Sequence, residues 1–213
     1  MTERTKRVVS KLLEMYPDAT TELKYGTALD LLVAVVLSAQ TSDAAVNAVT
    51  EILFNKYKTA KDYADASRED LEAEIRPLGL QRNRSERLIQ IGKMLVERFS
   101  GDVPDNQEDM ESLPGVGRKT AEVVLAVWNE QQKMAVDTHV ARVAKRLKLA
   151  AKKDTVLRVE KRLMSKVDEA DWTKTRYAML HFGRYRCTAK KPSCGGCPLK
   201  DVCRYPHHMF EKK

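Results

Sequence analysis

The chain has 213 residues, 43% of them hydrophobic and 32% charged, which is enough apolar content for one large domain or two small ones and argues against a disordered chain. Lysine and arginine outnumber aspartate and glutamate by 38 to 30, a formal charge of +8, and charge alone leaves open whether it serves a polyanionic partner or only a solvated basic tail. The longest apolar run, Ala28 to Leu37, is broken by Asp30 and falls short of the roughly 20 residues a membrane helix needs. The opening Met1-Thr-Glu-Arg-Thr-Lys-Arg is polar where a secretion signal is apolar, so the expectation is a cytoplasmic protein without a membrane segment.

Apolar residues recur at helical spacing through most of the chain, and Asn-Gly or Asp-Gly hairpin signals are absent, so the chain reads as all-α. Val8, Val9, Leu12 and Leu13 mark a first helix that stops before Pro17. Thr27 is placed to cap the apolar helix that runs to about Ser38, and Ser42 to cap the next, with Val46, Val49, Ile52 and Leu53 inward. Ser67-x-x-Asp70 resembles a capping box opening a short helix that Pro77 and Gly79 end, after which a helix rich in Arg and Leu extends to about Phe99. Beyond Gly101 and Pro104, a short helix near Asp109 leads through the turn Leu113-Pro-Gly-Val-Gly117 into a longer one from Arg118 to about Trp128. Valines 123, 124 and 127 also suit a strand, but no partner strand is in sight. Three further helices are predicted over 138–149, 155–168 and 173–182.

Two of these segments carry chemistry. In the turn, Gly115 and Gly117 free backbone N–H groups that can point, with the helix N-terminus, at a phosphate. Lys119 falls in the first helical turn, where the positive end of the macrodipole disfavours its protonated form and helps expose a nucleophilic amine. Asp137, in Val136-Asp-Thr-His-Val-x-Arg-Val143, stands at the start of a helix and suits both an N-cap and a catalytic carboxylate. Together Lys119 and Asp137 make an amine and carboxylate pair able to support attack at a sugar carbon.

All four cysteines fall within 187–203, as Cys187-x6-Cys194-x2-Cys197-x5-Cys203. Thiolates at such short loop spacing suit a metal centre, and the spacing serves zinc or an iron–sulfur cluster equally well. Around them, from His181 onward, eight basic residues including Arg184, Arg186, Lys190 and Lys191 stand against two acidic ones. The loop Thr188–Ser193, tethered by cysteines at both ends, is expected to hold Lys190 and Lys191 out toward backbone phosphates.

With these residues in hand the chain resembles the endonuclease III family of DNA glycosylases, within the helix–hairpin–helix superfamily. The likeness rests on Leu113-Pro-Gly-Val-Gly-Arg-Lys-Thr-Ala121, Ala135-Val-Asp-Thr-His-Val140, Leu37-Ser-Ala-Gln40 and the cysteine spacing, in the family's order and over nearly the whole chain. It implies a two-lobed helical fold, with residues 21–132 forming a six-helix barrel that carries the hairpin. Residues 1–20 and 133–213 would form the other lobe, with a [4Fe–4S] cluster on Cys187, Cys194, Cys197 and Cys203 and DNA across the cleft between the lobes. By the same resemblance Lys119 is the nucleophile at the sugar C1′ and Asp137 the carboxylate that assists it. Base release then leaves a Schiff base, and β-elimination cuts the strand 3′ to the abasic site. The implied partner is duplex DNA containing oxidised or ring-saturated pyrimidines or abasic sites, bound by a monomer. Gln40 and Leu80 would fill the gap and wedge the duplex, while Gly115, Gly117, Arg118 and His139 would contact the DNA, with Arg184, Arg186, Lys190 and Lys191 on its backbone.

The sequence departs from the family pattern in three places. Glu122 stands where Asn is usual and adds a charge one turn after Lys119; Ser42 stands where Thr is usual and keeps the hydroxyl; Thr175-Arg-Tyr-Ala replaces a His-rich stretch and receives no role. Three other readings compete. An adenine-specific mismatch glycosylase would need a catalytic Glu in the early apolar helix, and Leu31–Leu37 has none. A non-catalytic DNA-binding protein would have lost Lys119 or Asp137, and both are present. A purely structural zinc module predicts a colourless protein.

Overall fold

The structure, a computed structural model, describes residues 1–205; Lys212 and Lys213 of the basic segment lie outside the described residues. Among the described residues there are eleven α-helices and no strand, so the 123–127 valines lie on a helix. No described helix is long and apolar enough to cross a membrane. The chain divides into two compact units, one of Glu22–Gln131 and one of Met1–Thr21 with Gln132–Lys213.

The first unit holds α2 (Ala28–Leu37), α3 (Asp43–Lys56), α4 (Ala60–Ala64), α5 (Arg68–Ile75), α6 (Gln81–Phe99), α7 (Gln107–Ser112) and α8 (Arg118–Trp128). Helix α2 is buried on every side from Leu29 to Leu37, and each leucine fully removed from water contributes roughly 1.5–3 kcal/mol. Asp30, the charge that breaks the apolar run, closes a capping box there: it accepts from Thr27 N at 3.0 Å while Thr27 Oγ1 accepts from Asp30 N at 3.1 Å. The same box forms at Thr59 and Asp62 and starts α4, a helix that periodicity did not announce. At α5 the Ser67 oxygen accepts from Asp70 N, but the reciprocal bond of the expected box is not made and the Ser67 hydroxyl turns to Glu69.

Helix α6 packs on α4 and α5, and α2 on α8. Its approach to α4 depends on Gly92, where a Cβ would sit 2.6 Å from Ala64 N and 2.7 Å from Ala60 O. On α3 the inward face runs through Val46, Val49, Thr50 and Leu53. Ile52, expected among them, is instead 62% exposed, because at 3.6 residues per turn it lies about 110° from the centre of that stripe.

The second unit holds α1 (Glu3–Met15), α9 (Thr138–Arg146), α10 (Val156–Met164) and α11 (Trp172–His181), the last continuing into a π-helical turn, Phe182–Arg186. Helix α11 packs on α1 and α9, and α10 on α9. Helix α9 stops three residues before the expected 149. Lys148 turns left-handed at φ 56, and Leu149 N donates back to Ala144 O at 2.9 Å, which closes the helix. Helix α10 likewise ends at Met164 rather than 168, with Ser165 as its C-cap.

Candidate functional site

In the first unit, buried Leu113 and Val116 anchor the turn between α7 and α8, and Val116 N donates to Leu113 O at 3.0 Å. Gly115 bridges them at φ +76, a backbone an L residue rarely adopts. Its open face lies against the Arg87 side chain: a Cβ there would meet Arg87 Cδ at 2.7 Å. Gly117, at φ −94, is the N-cap of α8 and brings no side-chain acceptor, an arrangement that turns first-turn N–H groups toward an anion. Lys119 follows as the second residue of α8, exposed on the same turn.

These two glycines separate by substitution. Gly115→Ala should lower stability by about 1–2 kcal/mol in urea unfolding, through its φ and the Arg87 contact. Gly117→Ala meets nothing within 4 Å and should lose only the few tenths of a kcal/mol, up to about 1, of a poorer N-cap, while its Cβ stands in the way of a phosphate and weakens DNA binding. A large loss of stability in Gly117→Ala would contradict this division.

Glu122 is 4% exposed, and Arg118 Nη2 reaches its Oε1 at 3.1 Å, an i, i+4 pair within α8. The charge that departs from the family pattern is therefore matched locally, and it engages one of the expected DNA-binding arginines. Gln40 and Leu80 stand on loops of this unit, both exposed, Leu80 at 59%, and both with positive φ, 62 and 51.

In the second unit, Asp137 is the N-cap of α9: its Oδ1 accepts from Val140 N at 2.8 Å, which fixes the carboxylate at the positive end of the helix. Met134, Ala135 and Val136 lead into it and are buried. Arg176, 5% exposed, donates from Nε to Ala135 O at 3.0 Å and lies over the Tyr177 ring at 4.1 Å. The segment that received no role thus braces the approach to Asp137. His139, half-buried one turn in, has Nδ1 3.2 Å from Arg142 Nη2.

The four cysteines, all free of disulfides, line one pocket with Leu147, Phe182 and Leu199. Four thiols lining one cavity are the donor set of a cluster, which takes one thiolate at each of its irons. Burial pushes the Cys203 thiol above its ordinary pKa, and the other three cysteines push it further, as expected of donors that need a cationic core to become thiolates. The donor set therefore fits an iron–sulfur cluster.

Arg146, 9% exposed on α9, holds this segment from beneath. Its Nη1 donates to Cys187 Sγ at 3.2 Å and to Thr188 O at 2.7 Å, and Nη2 to Ala189 O at 2.8 Å. Arg142 adds bonds to Cys187 O and Gly183 O. With the Thr188 and Ala189 carbonyls held by Arg146, Lys190 and Lys191 follow as exposed residues of the loop. Arg184 lies on the π-helical turn, half-buried. Arg186 is committed elsewhere: its Nη2 donates to Gly196 O at 2.7 Å and its side chain lines the cysteine pocket.

The structure thus gathers Gly115, Gly117, Arg118 and Lys119 on one hairpin, Asp137 and His139 on the first turn of α9, and the cysteines around one cavity. Sequence reasoning missed the arginines that brace these parts, Arg142, Arg146 and Arg176. Arg142 and Arg146, spaced i, i+4 directly after Asp137, were the one local signal.

A helical hairpin that presents phosphate-seeking amides and a lysine, in a chain that also carries a four-cysteine module, marks a base excision DNA repair protein of the helix–hairpin–helix class. Residues 33–169 match the HhH-GPD superfamily of base excision DNA repair proteins, and residues 187–203 the iron–sulfur binding domain of endonuclease III. The chain belongs to the endonuclease III family. It is 46% identical to Endonuclease III of Bacillus subtilis (strain 168) over 196 residues, 92% of this chain and 90% of that one, and 41% identical to that of Haemophilus influenzae over 95% and 96%. A solved non-covalent Endonuclease III–DNA complex superposes with a TM-score of 0.94 at 42% identity, covering both chains fully. A trapped covalent Endonuclease III–DNA intermediate gives 0.93 at the same identity, covering 99% of this chain and all of that one. A thermostable thymine-DNA glycosylase, 21% identical, shares the fold at 0.86.

Proposed function

We propose that this chain is a bifunctional DNA glycosylase and abasic-site lyase that removes oxidised or ring-saturated pyrimidines from duplex DNA through a lysine Schiff base. The observation that carries the reading is Lys119, exposed in the first turn of the helix that follows the Gly115–Gly117 turn. The hairpin amides hold a backbone phosphate, which brings the sugar of the damaged nucleotide to the amine. The Lys119 nitrogen attacks C1′ with its lone pair as the glycosidic bond breaks, and the departing base takes up a proton. The sugar ring opens to an iminium, loss of a C2′ proton expels the 3′ phosphate, and water releases the lysine. Asp137 supplies the negative charge that favours the cationic sugar. Its N-cap bond keeps the carboxylate oriented while this happens.

Damaged pyrimidines stack poorly, so their eversion costs less than that of an intact base. Gln40 and Leu80 take the space that the everted nucleotide leaves. The enzyme acts as a monomer in the cytoplasm. The iron–sulfur cluster on Cys187, Cys194, Cys197 and Cys203 supplies structural cross-linking when bound, and the residues around it hold Lys190 and Lys191 at the surface.

Those two lysines contact phosphates without reading bases. Replacing both with Ala should weaken lesion-containing and undamaged duplexes by a similar factor, and reduce the slope of log K against log salt by about 0.9 per lost contact. A loss confined to lesion-containing DNA, or an unchanged slope, would contradict it. The function itself is tested with single-lesion duplexes. Thymine glycol should be released and the strand cut, whereas adenine opposite 8-oxoguanine should remain. Release of that adenine without strand cleavage would instead identify a mismatch enzyme.

A further inference from the structure

Gln40 and Leu80 belong to loops 40 residues apart in sequence, yet they share two features. Each is exposed, and each stands in left-handed backbone, φ 62 for Gln40 and φ 51, ψ 28 for Leu80. An exposed leucine in a conformation that L residues rarely adopt is doubly unfavourable, so something beneath must hold it.

That support is Arg84. It lies on the first turn of α6 and is 3% exposed. Its guanidinium donates to three main-chain carbonyls: Nη1 to Leu78 O at 2.6 Å and to Gly79 O at 2.9 Å, and Nη2 to Ala39 O at 2.6 Å. Ala39 and Gly79 directly precede Gln40 and Leu80. A peptide group is planar, so the carbonyl oxygen of one residue fixes the plane whose rotation is the φ of the next. Holding the Ala39 and Gly79 oxygens on one rigid guanidinium therefore sets the φ of both exposed residues together. Burial, followed by the charge of nearby Arg87, lowers the Arg84 pKa from the ordinary arginine value, and the carbonyl oxygens compensate that buried charge.

We propose that Arg84 is a positioning residue that locks Gln40 and Leu80 into a single pre-formed two-pronged device, so that both enter the duplex in register when a nucleotide is everted. This rests on the reading that these two side chains fill the duplex. Loops ordered in advance surrender little conformational freedom on insertion, which is where the clamp gains rate. Lysine cannot replace it fully, because one ammonium has no planar fork to span both loops.

The test compares two substrates: a thymine glycol in a full duplex, which must be opened, and an abasic site in a single strand, which has no partner base to displace. Arg84→Met and Arg84→Lys should each lower single-turnover base release from the duplex, Arg84→Met by about 10- to 100-fold. Both should cut the single-stranded abasic site within about twofold of the parent, a split that a merely structural defect would not produce. Adding Arg84→Met to a Gln40→Ala, Leu80→Ala double variant should cost little more, since the device is already gone. If Arg84→Met is poorly folded by circular dichroism, Arg84→Lys carries the comparison. Equal losses on both substrates, or an unchanged duplex rate in both Arg84 variants, would overturn the clamp. If Gln40→Ala and Leu80→Ala themselves leave the duplex rate unchanged, the insertion reading fails first and the proposal falls with it. If they impair the duplex while the Arg84 variants do not, the clamp alone is refuted.

Discussion

Lys119→Ala should abolish base release from a thymine glycol duplex, lowering the single-turnover rate by more than about 10⁴-fold while duplex affinity changes little. The side chain is exposed on the first turn of α8, so truncation opens no cavity. The hairpin anchors Leu113 and Val116 are untouched, and so are the amides that hold phosphate. Loss of chemistry with binding retained is the signature of a nucleophile. Affinity and rate falling together would recast Lys119 as a phosphate contact.

Asp137→Asn is expected to have the second-largest effect, and the fold makes it an unusually clean substitution. Asp137 caps α9 through Val140 N, and asparagine caps a helix about as well as aspartate. Thermal stability should therefore stay within about 0.5 kcal/mol of the parent, while base release slows by about 10²- to 10⁴-fold for want of the charge. Asp137→Ala should lose the cap as well, about 1 kcal/mol, with a similar fall in rate. Were Asp137→Asn to keep its rate and Asp137→Ala to lose it, capping would be the whole role of the residue.

The parts of this account that were legible in sequence are the local ones. A glycine turn before a helix, a lysine two residues inside it, a carboxylate at an N-cap and four cysteines within one loop all carry their chemistry at short spacing. Helix periodicity was equally local, and it failed where tertiary structure took over. Helix α4 has five residues and depends on Gly92, nearly 30 positions away, for the room to pack. Ile52 looked apolar enough for the core, but the angular position of Leu53 and Val49 settled which face is buried.

The bracing arginines were illegible for a different reason. Arg84 takes carbonyls from residues 39, 78 and 79, and Arg176 takes that of Ala135, 41 residues upstream. A main-chain carbonyl is present at every position, so such a partner leaves no trace in residue identity. A buried arginine that pairs with a carboxylate is suggested by complementary charge; one that pairs with backbone has no such counterpart. Glu122 was visible as a departure from the family pattern, and Arg118 stood i, i+4 from it on the predicted helix; the structure adds that Glu122 is buried and that the pair closes at 3.1 Å.

The central claim is that one particular amine forms the covalent link to the sugar. Borohydride reduction of the enzyme on a thymine glycol duplex, followed by proteolysis and mass spectrometry of the cross-linked peptide, reads that atom directly. The account predicts a single adduct on the peptide containing Lys119 and none in Lys119→Ala. An adduct on any other lysine or on the N-terminal amine, or base release with no trappable intermediate at all, would contradict it.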